Sequence, residues 1–130
     1  MKIAETEKDI LNDLRELEDT ISQYTFLIGC AGECLPFPEE YRTDEYLIRE
    51  CLVKTWVYAG WEDERCVFLA DSESLIVKGA LSLLQELYAG RSRMEIAGYH
   101  CGLLDEEIFC QHFTGEQIAG LRVILKKLCS

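Results

Sequence analysis

Positive charge is scarce in this chain: 13 lysines and arginines stand against 24 aspartates and glutamates, for a net charge of −11. Phosphate backbones repel such a surface, which argues against nucleic acid as a partner, and an anionic membrane surface is disfavoured on the same ground. The acidity is left to two readings, a solvated face or a surface for a cationic protein partner. Long apolar runs are missing too: no stretch approaches the roughly 18 residues of a membrane-spanning helix. The opening Met1-Lys2-Ile3-Ala4-Glu5 lacks the apolar core of a secretion signal. A cytoplasmic protein is therefore expected. Histidine is limited to His100 and His112, which leaves little for histidine-based hydrolysis, and no oxyanion-hole loop is evident. The glycines are scattered, so there is no phosphate cradle, and Val77-Lys78-Gly79 is not a P-loop. Repeats and low-complexity tracts are absent.

What is present points to one globular domain over residues 1–130. Apolar residues make up 48% and charged residues 28%, which argues against disorder. A chain of this length buries roughly two-thirds of its unfolded surface and needs neither metal nor disulfide to fold. Seven cysteines in a cytoplasmic chain are expected to be reduced thiols, and their odd number disfavours a closed disulfide framework.

Hydrophobic spacing predicts a first helix capped at Thr6, with Ile10, Leu14, Leu17 and Ile21 on one stripe. An irregular crossing loop follows through Gly29, Gly32 and Leu35-Pro36-Phe37-Pro38. Residues 52–58 and 66–70 read as strands of an antiparallel hairpin, with a turn over 59–65 and a short third strand near Tyr46 to Arg49. Asp71 or Ser72 is expected to cap a helix carrying Ile76, Ala80, Leu83 and Leu87, ended by Gly90. Capping boxes at Ser92-Arg93-Met94-Glu95 and Thr114-Gly115-Glu116-Gln117 start two more helices, the last with Ile118, Leu121, Leu125 and Leu128 inward. The fold class is thus α+β: a small antiparallel sheet of about three strands with helices packed against one face.

Among the cysteines, Cys51 stands out. A charged, turn-like stretch delivers it to the start of a β-branched and aromatic run, where a thiol can reach a partner while a strand holds its backbone. Cys66 reads as a small buried hydrophobe, Cys129 as a thiol with no site around it, and Cys101 only as a neighbour of His100. Cys30 and Cys34 form a C-x3-C pair. Zinc would need a second half from Cys110 and His112, or His100 and Cys101, and those spacings match no established zinc pattern, so no metal is expected.

Several blocks, in order, resemble the SufE family of sulfur-acceptor proteins, which includes CsdE. Gly32-Glu33-Cys34-Leu35-Pro36 is similar to the family's Gly-x-x-Leu-Pro turn. Arg42, Ile48, Cys51 and Trp56 stand at the spacings of its active-loop segment. Asp71-Ser72-Glu73-Ser74-Leu75-Ile76-Val77-Lys78-Gly79 resembles its central helix start, and Gln111-His112-Phe113-Thr114 with Gly120-Leu121 its late segment. The chain departs from the family at Glu50, where glycine is usual, at Val53 and Tyr46, and at Gln117.

The resemblance implies that Cys51 takes persulfide sulfur from a cysteine desulfurase of the SufS/CsdA type, stimulates it, and passes sulfur toward an iron–sulfur scaffold. The pyridoxal phosphate would reside on the desulfurase, and this chain would need no cofactor. Arg49, Glu50, Leu52, Lys54, Asp71 and Glu73 are candidates for the active loop and partner contact; Arg42, Trp56 and His112 are supporting candidates. Trp56 is read either as a wall of the Cys51 pocket or as a core residue, and His112 either as a tuning or as a structural histidine. The rival class is a SufE-like binding module whose loop substitutions have silenced transfer.

Overall fold

The computed structural model describes residues 1–129. The chain opens with α1 (Ile3–Glu16), which buries Ile3, Ile10, Leu11 and Leu14. Its start lies ahead of the expected Thr6 cap; Thr6 sits inside the helix and its hydroxyl donates to the Lys2 carbonyl at 3.3 Å. The expected single stripe is also cut in two. Asp19 accepts hydrogen bonds from the Ser22 amide and hydroxyl, both at 2.8 Å, and starts a separate α2 (Thr20–Cys30). A capping aspartate satisfies amides that a continuous helix would have paired internally, so it breaks a stripe that periodicity alone would join. Ile21 is consequently 79% exposed, and α2 turns Gln23, Leu27 and Cys30 inward instead.

The sheet is a single antiparallel hairpin, β1 (Thr55–Glu62) with β2 (Arg65–Ser72). Its two-residue turn places Asp63 and Glu64 at positive φ, the geometry that matches strand twist in tight hairpins. The expected third strand is reduced to one bridge, Leu47 against Trp56, so the sheet has two strands. Aromatic rings pack on the outer face there instead: the Tyr41 ring stacks on Tyr58 with centroids 4.6 Å apart and meets Tyr46 edge-on at 5.0 Å.

Helix α3 (Leu75–Tyr88) packs beneath β2 and against α2. Its cap is Ser74, not Asp71 or Ser72, which belong to β2. Gly79 lets α3 and α2 touch: a side chain there would strike the Leu27 carbonyl. Short helices α4 (Arg93–Ala97) and α5 (Glu107–Cys110) follow, then α6 (Gly115–Leu128). Both predicted capping boxes form, at Ser92 with Glu95 and at Thr114 with Gln117. The core is continuous: Leu14, Leu27, Phe68, Leu81, Phe109 and Ile124, from six different elements, are all buried. No described helix is long and apolar enough to cross a membrane.

Candidate active site around Cys51

Strand β1 starts at Thr55, three residues later than composition indicates, because residues 49–54 form a flap rather than a strand. The flap is closed at its base by the Ile48 amide donating to the Thr55 carbonyl at 2.8 Å, and behind that by the Val57 amide to the Tyr46 carbonyl at 2.9 Å. Its outgoing limb is tied to the β2–α3 turn, where the Glu73 amide donates to the Lys54 carbonyl at 2.9 Å. A tight turn, the Cys51 amide to the Ile48 carbonyl at 3.1 Å, directs Cys51 toward the protein. The other five flap residues, Arg49, Glu50, Leu52, Val53 and Lys54, are exposed, and only Cys51 packs against the core.

The thiol lines a cavity of about 180 Å³ between the flap and the starts of α3 and α6. Leu52, Val53 and Val77 supply apolar wall; Thr55, Ser74, Thr114, Glu116 and Gln117 supply polar groups. Two helix caps, Ser74 and Thr114, therefore face the same space, because the capping sequences that start α3 and α6 bring both helix ends to the flap. Burial pushes the Cys51 thiol above its ordinary range; the polar Thr55 side chain beside it pulls the other way, and the neighbouring Glu50 carboxylate raises it again.

Arg42 and Asp71 do not line this cavity. They form an anchor behind it. Arg42 Nη2 is 2.6 Å from Asp71 Oδ2 and Arg42 Nε 2.8 Å from Glu39, while Lys78 Nζ holds the other Asp71 oxygen at 3.2 Å. The guanidinium also lies 5.2 Å from the Trp56 ring and 5.3 Å from the Phe37 ring. Trp56 therefore faces Arg42 on the outer side of the hairpin, and Thr55, its neighbour in the strand alternation, faces the thiol. Asp71 is engaged internally, whereas Glu73 is exposed next to the flap.

His112 is buried away from the cavity, its Nε2 3.0 Å from Gln23 Oε1, which also accepts from Gln111 at 2.9 Å. This set joins α2 to the α5–α6 turn. The C-x3-C thiols separate: Cys30 is buried and pushed up to about 11 by burial and then by Glu33, Glu86 and Asp13, while the Cys34 thiol turns to the Ala70 and Lys78 carbonyls. Among the described residues, no group of three or more histidines, cysteines or carboxylates is placed to hold a metal ion. Residues that sequence reasoning missed are Thr55, Ser74 and Gly120. Ser74 and Gly120 both lie in blocks that resemble the family, where the resemblance attached no role to either; Thr55 had no signal beyond its place in the strand run.

A family model for SufE, described as the Fe-S metabolism associated domain, matches residues 8–130. The chain is similar to the cysteine desulfuration protein SufE of Wigglesworthia glossinidia brevipalpis, at 26% identity over 91% of this chain and 83% of that one. It is also similar to SufE-like protein 1, chloroplastic/mitochondrial, of Arabidopsis thaliana, at 28% identity over 68% of this chain and 24% of that longer one. Among solved structures, the solution structure of a hypothetical protein from Thermus thermophilus superposes with a TM-score of 0.72 at 20% identity, covering 95% of this chain and 90% of that one, a likeness of fold.

Proposed function

Since the chain belongs to the SufE family, whose domain is associated with Fe–S metabolism, we propose that it is a sulfur carrier that takes persulfide sulfur onto Cys51 from a cysteine desulfurase. The observation that supports this most is the flap: one thiol, on a short loop hinged at the Ile48–Thr55 pair, turned into a partly apolar cavity. The Cys51 thiolate attacks the terminal sulfur of the desulfurase persulfide. A new S–S bond forms on Cys51, the old one breaks, and the desulfurase cysteine leaves as thiolate, ready for another turnover. Electrons and atoms balance without an added oxidant. The pyridoxal phosphate and the carbon–sulfur cleavage belong to the desulfurase, and this chain turns nothing over alone.

A thiol facing inward cannot meet a partner's cysteine, so the flap swings outward on docking. The exposed apolar side chains Leu52 (80% exposed), which lines the cavity, and Leu75 (58%), next in the chain to the lining residue Ser74, together with the exposed Arg49, Glu50, Lys54 and Glu73, form the contact surface. Once loaded, the flap returns the persulfide to the cavity, away from reductants, until a downstream iron–sulfur scaffold accepts it. The test is desulfurase turnover with wild type, Cys51→Ser and Cys129→Ser. Stimulation by wild type and Cys129→Ser, lost in Cys51→Ser, supports the reading; equal behaviour of all three, with binding retained, makes the chain a binding module.

A further inference from the structure

We infer that Gly120, on α6, is the positioning residue that sets the resting place of the Cys51 thiol. A Cβ at residue 120 would stand 2.5 Å from Cys51 Sγ, closer than any real contact, but 3.8 Å from Cys51 Cβ and 3.9 Å from its Cα, which is ordinary packing. The conflict is therefore with the sulfur atom alone. The flap backbone has room for a methyl group on α6; the inward thiol does not.

Gly120 lies in the interior of α6 (Gly115–Leu128), where glycine is the weakest helix former after proline and alanine the strongest. It is buried and its φ is not positive, so backbone conformation does not require glycine there. The close approach of Cys51 gives it a role. The polar neighbours Thr55, Thr114 and Gln117 shape the cavity beside the thiol, but the sulfur itself rests on the bare face of α6. Because that seat is filled by one sulfur, any sulfur added to Cys51 has to extend into the adjoining cavity. A side chain at residue 120 evicts the thiol and shifts the flap toward the outward arrangement.

This inference deepens the sulfur-carrier reading, and its test uses no desulfurase, so the failure of either leaves the other to stand or fall separately. The rate of Cys51 alkylation by iodoacetamide is followed by peptide mass mapping in wild type and Gly120→Ala, and thermal midpoints are measured for both residues at position 120 in Cys51 and Cys51→Ala backgrounds. Alkylation of Cys51 is expected to rise several-fold in Gly120→Ala. The same substitution is expected to lower the midpoint when Cys51 is present and to raise it when Cys51 is alanine, since only helix propensity then remains. Should Gly120→Ala not fold alone, folding of the Cys51→Ala, Gly120→Ala double variant carries the same support. Unchanged alkylation, equal midpoint shifts in both backgrounds, or a double variant that also fails to fold would overturn the assignment.

Discussion

Arg42 and Asp71 form a clamp between the segment that leads into the flap and strand β2, with Nη2 to Oδ2 at 2.6 Å. Lys78 extends the clamp to α3 through the second carboxylate oxygen. The flap therefore moves, where it moves, relative to a base held by charge, by the Trp56 and Phe37 rings and by the Ile48–Thr55 bond.

Replacing Asp71 by asparagine leaves Arg42 and Lys78 without their shared anion. Half-buried charged hydrogen bonds of this kind put the expected loss at about 1–2 kcal/mol in urea unfolding at neutral pH. Burial pushes the Asp71 carboxyl up, but hydrogen bonds from Arg42 and Lys78 outweigh it and hold the group below its ordinary value of 3.8. A carboxylate with a depressed folded pKa stabilises the fold fully above its unfolded value and loses that contribution as pH falls through the folded one. The gap between wild type and Asp71→Asn is thus expected to close below the ordinary carboxylate range, and a gap independent of pH would contradict the clamp.

His112 responds to acid in the same direction, but for a different cause. Burial pushes its pKa below the ordinary 6.5, so the unfolded chain takes up a proton more readily than the folded one. Stability from this residue is flat above that value and falls as pH drops below it toward the folded pKa. His112→Gln, which keeps an amide donor for Gln23, is expected to flatten the urea midpoint between pH 7 and about pH 5.

Glu50 stands where the family usually has glycine, and its carboxylate adds to burial in raising the Cys51 thiol. Glu50→Gln is expected to move the pH dependence of Cys51 alkylation to lower pH, with no change in thermal midpoint beyond about 0.5 kcal/mol equivalent for an exposed site. An unmoved profile would mean that Glu50 points away from the thiol in solution.

Much of this arrangement was legible in the chain. Alternating β-branched and aromatic residues marked the hairpin, the serine and threonine boxes marked α4 and α6, and the charged approach marked the turn before Cys51 though not the flap that continues beyond it. The misses share a cause. Leu17 and Ile21 continue a helical spacing across a break made by one capping side chain, Asp19. Leu52 and Val53 have strand composition but are exposed on the flap, outside the core that such composition usually fills. Trp56 admits two roles from sequence, because strand alternation does not say which face of a hairpin meets the thiol. Gly120 stands in a block that resembles the family's late segment, but nothing local gives it a role: its partner is 69 positions away, at Cys51, and only their meeting in space distinguishes it from a poor helix former.

The central claim is that the Cys51 sulfur is where the transferred sulfur lands. The most direct measurement incubates the chain with a cysteine desulfurase and free cysteine, then reads intact mass and maps the modified peptide. A gain of one sulfur atom on the Cys51 peptide, absent in Cys51→Ser, is the expected result; sulfur on Cys129 or another thiol with Cys51 unmodified would contradict the account.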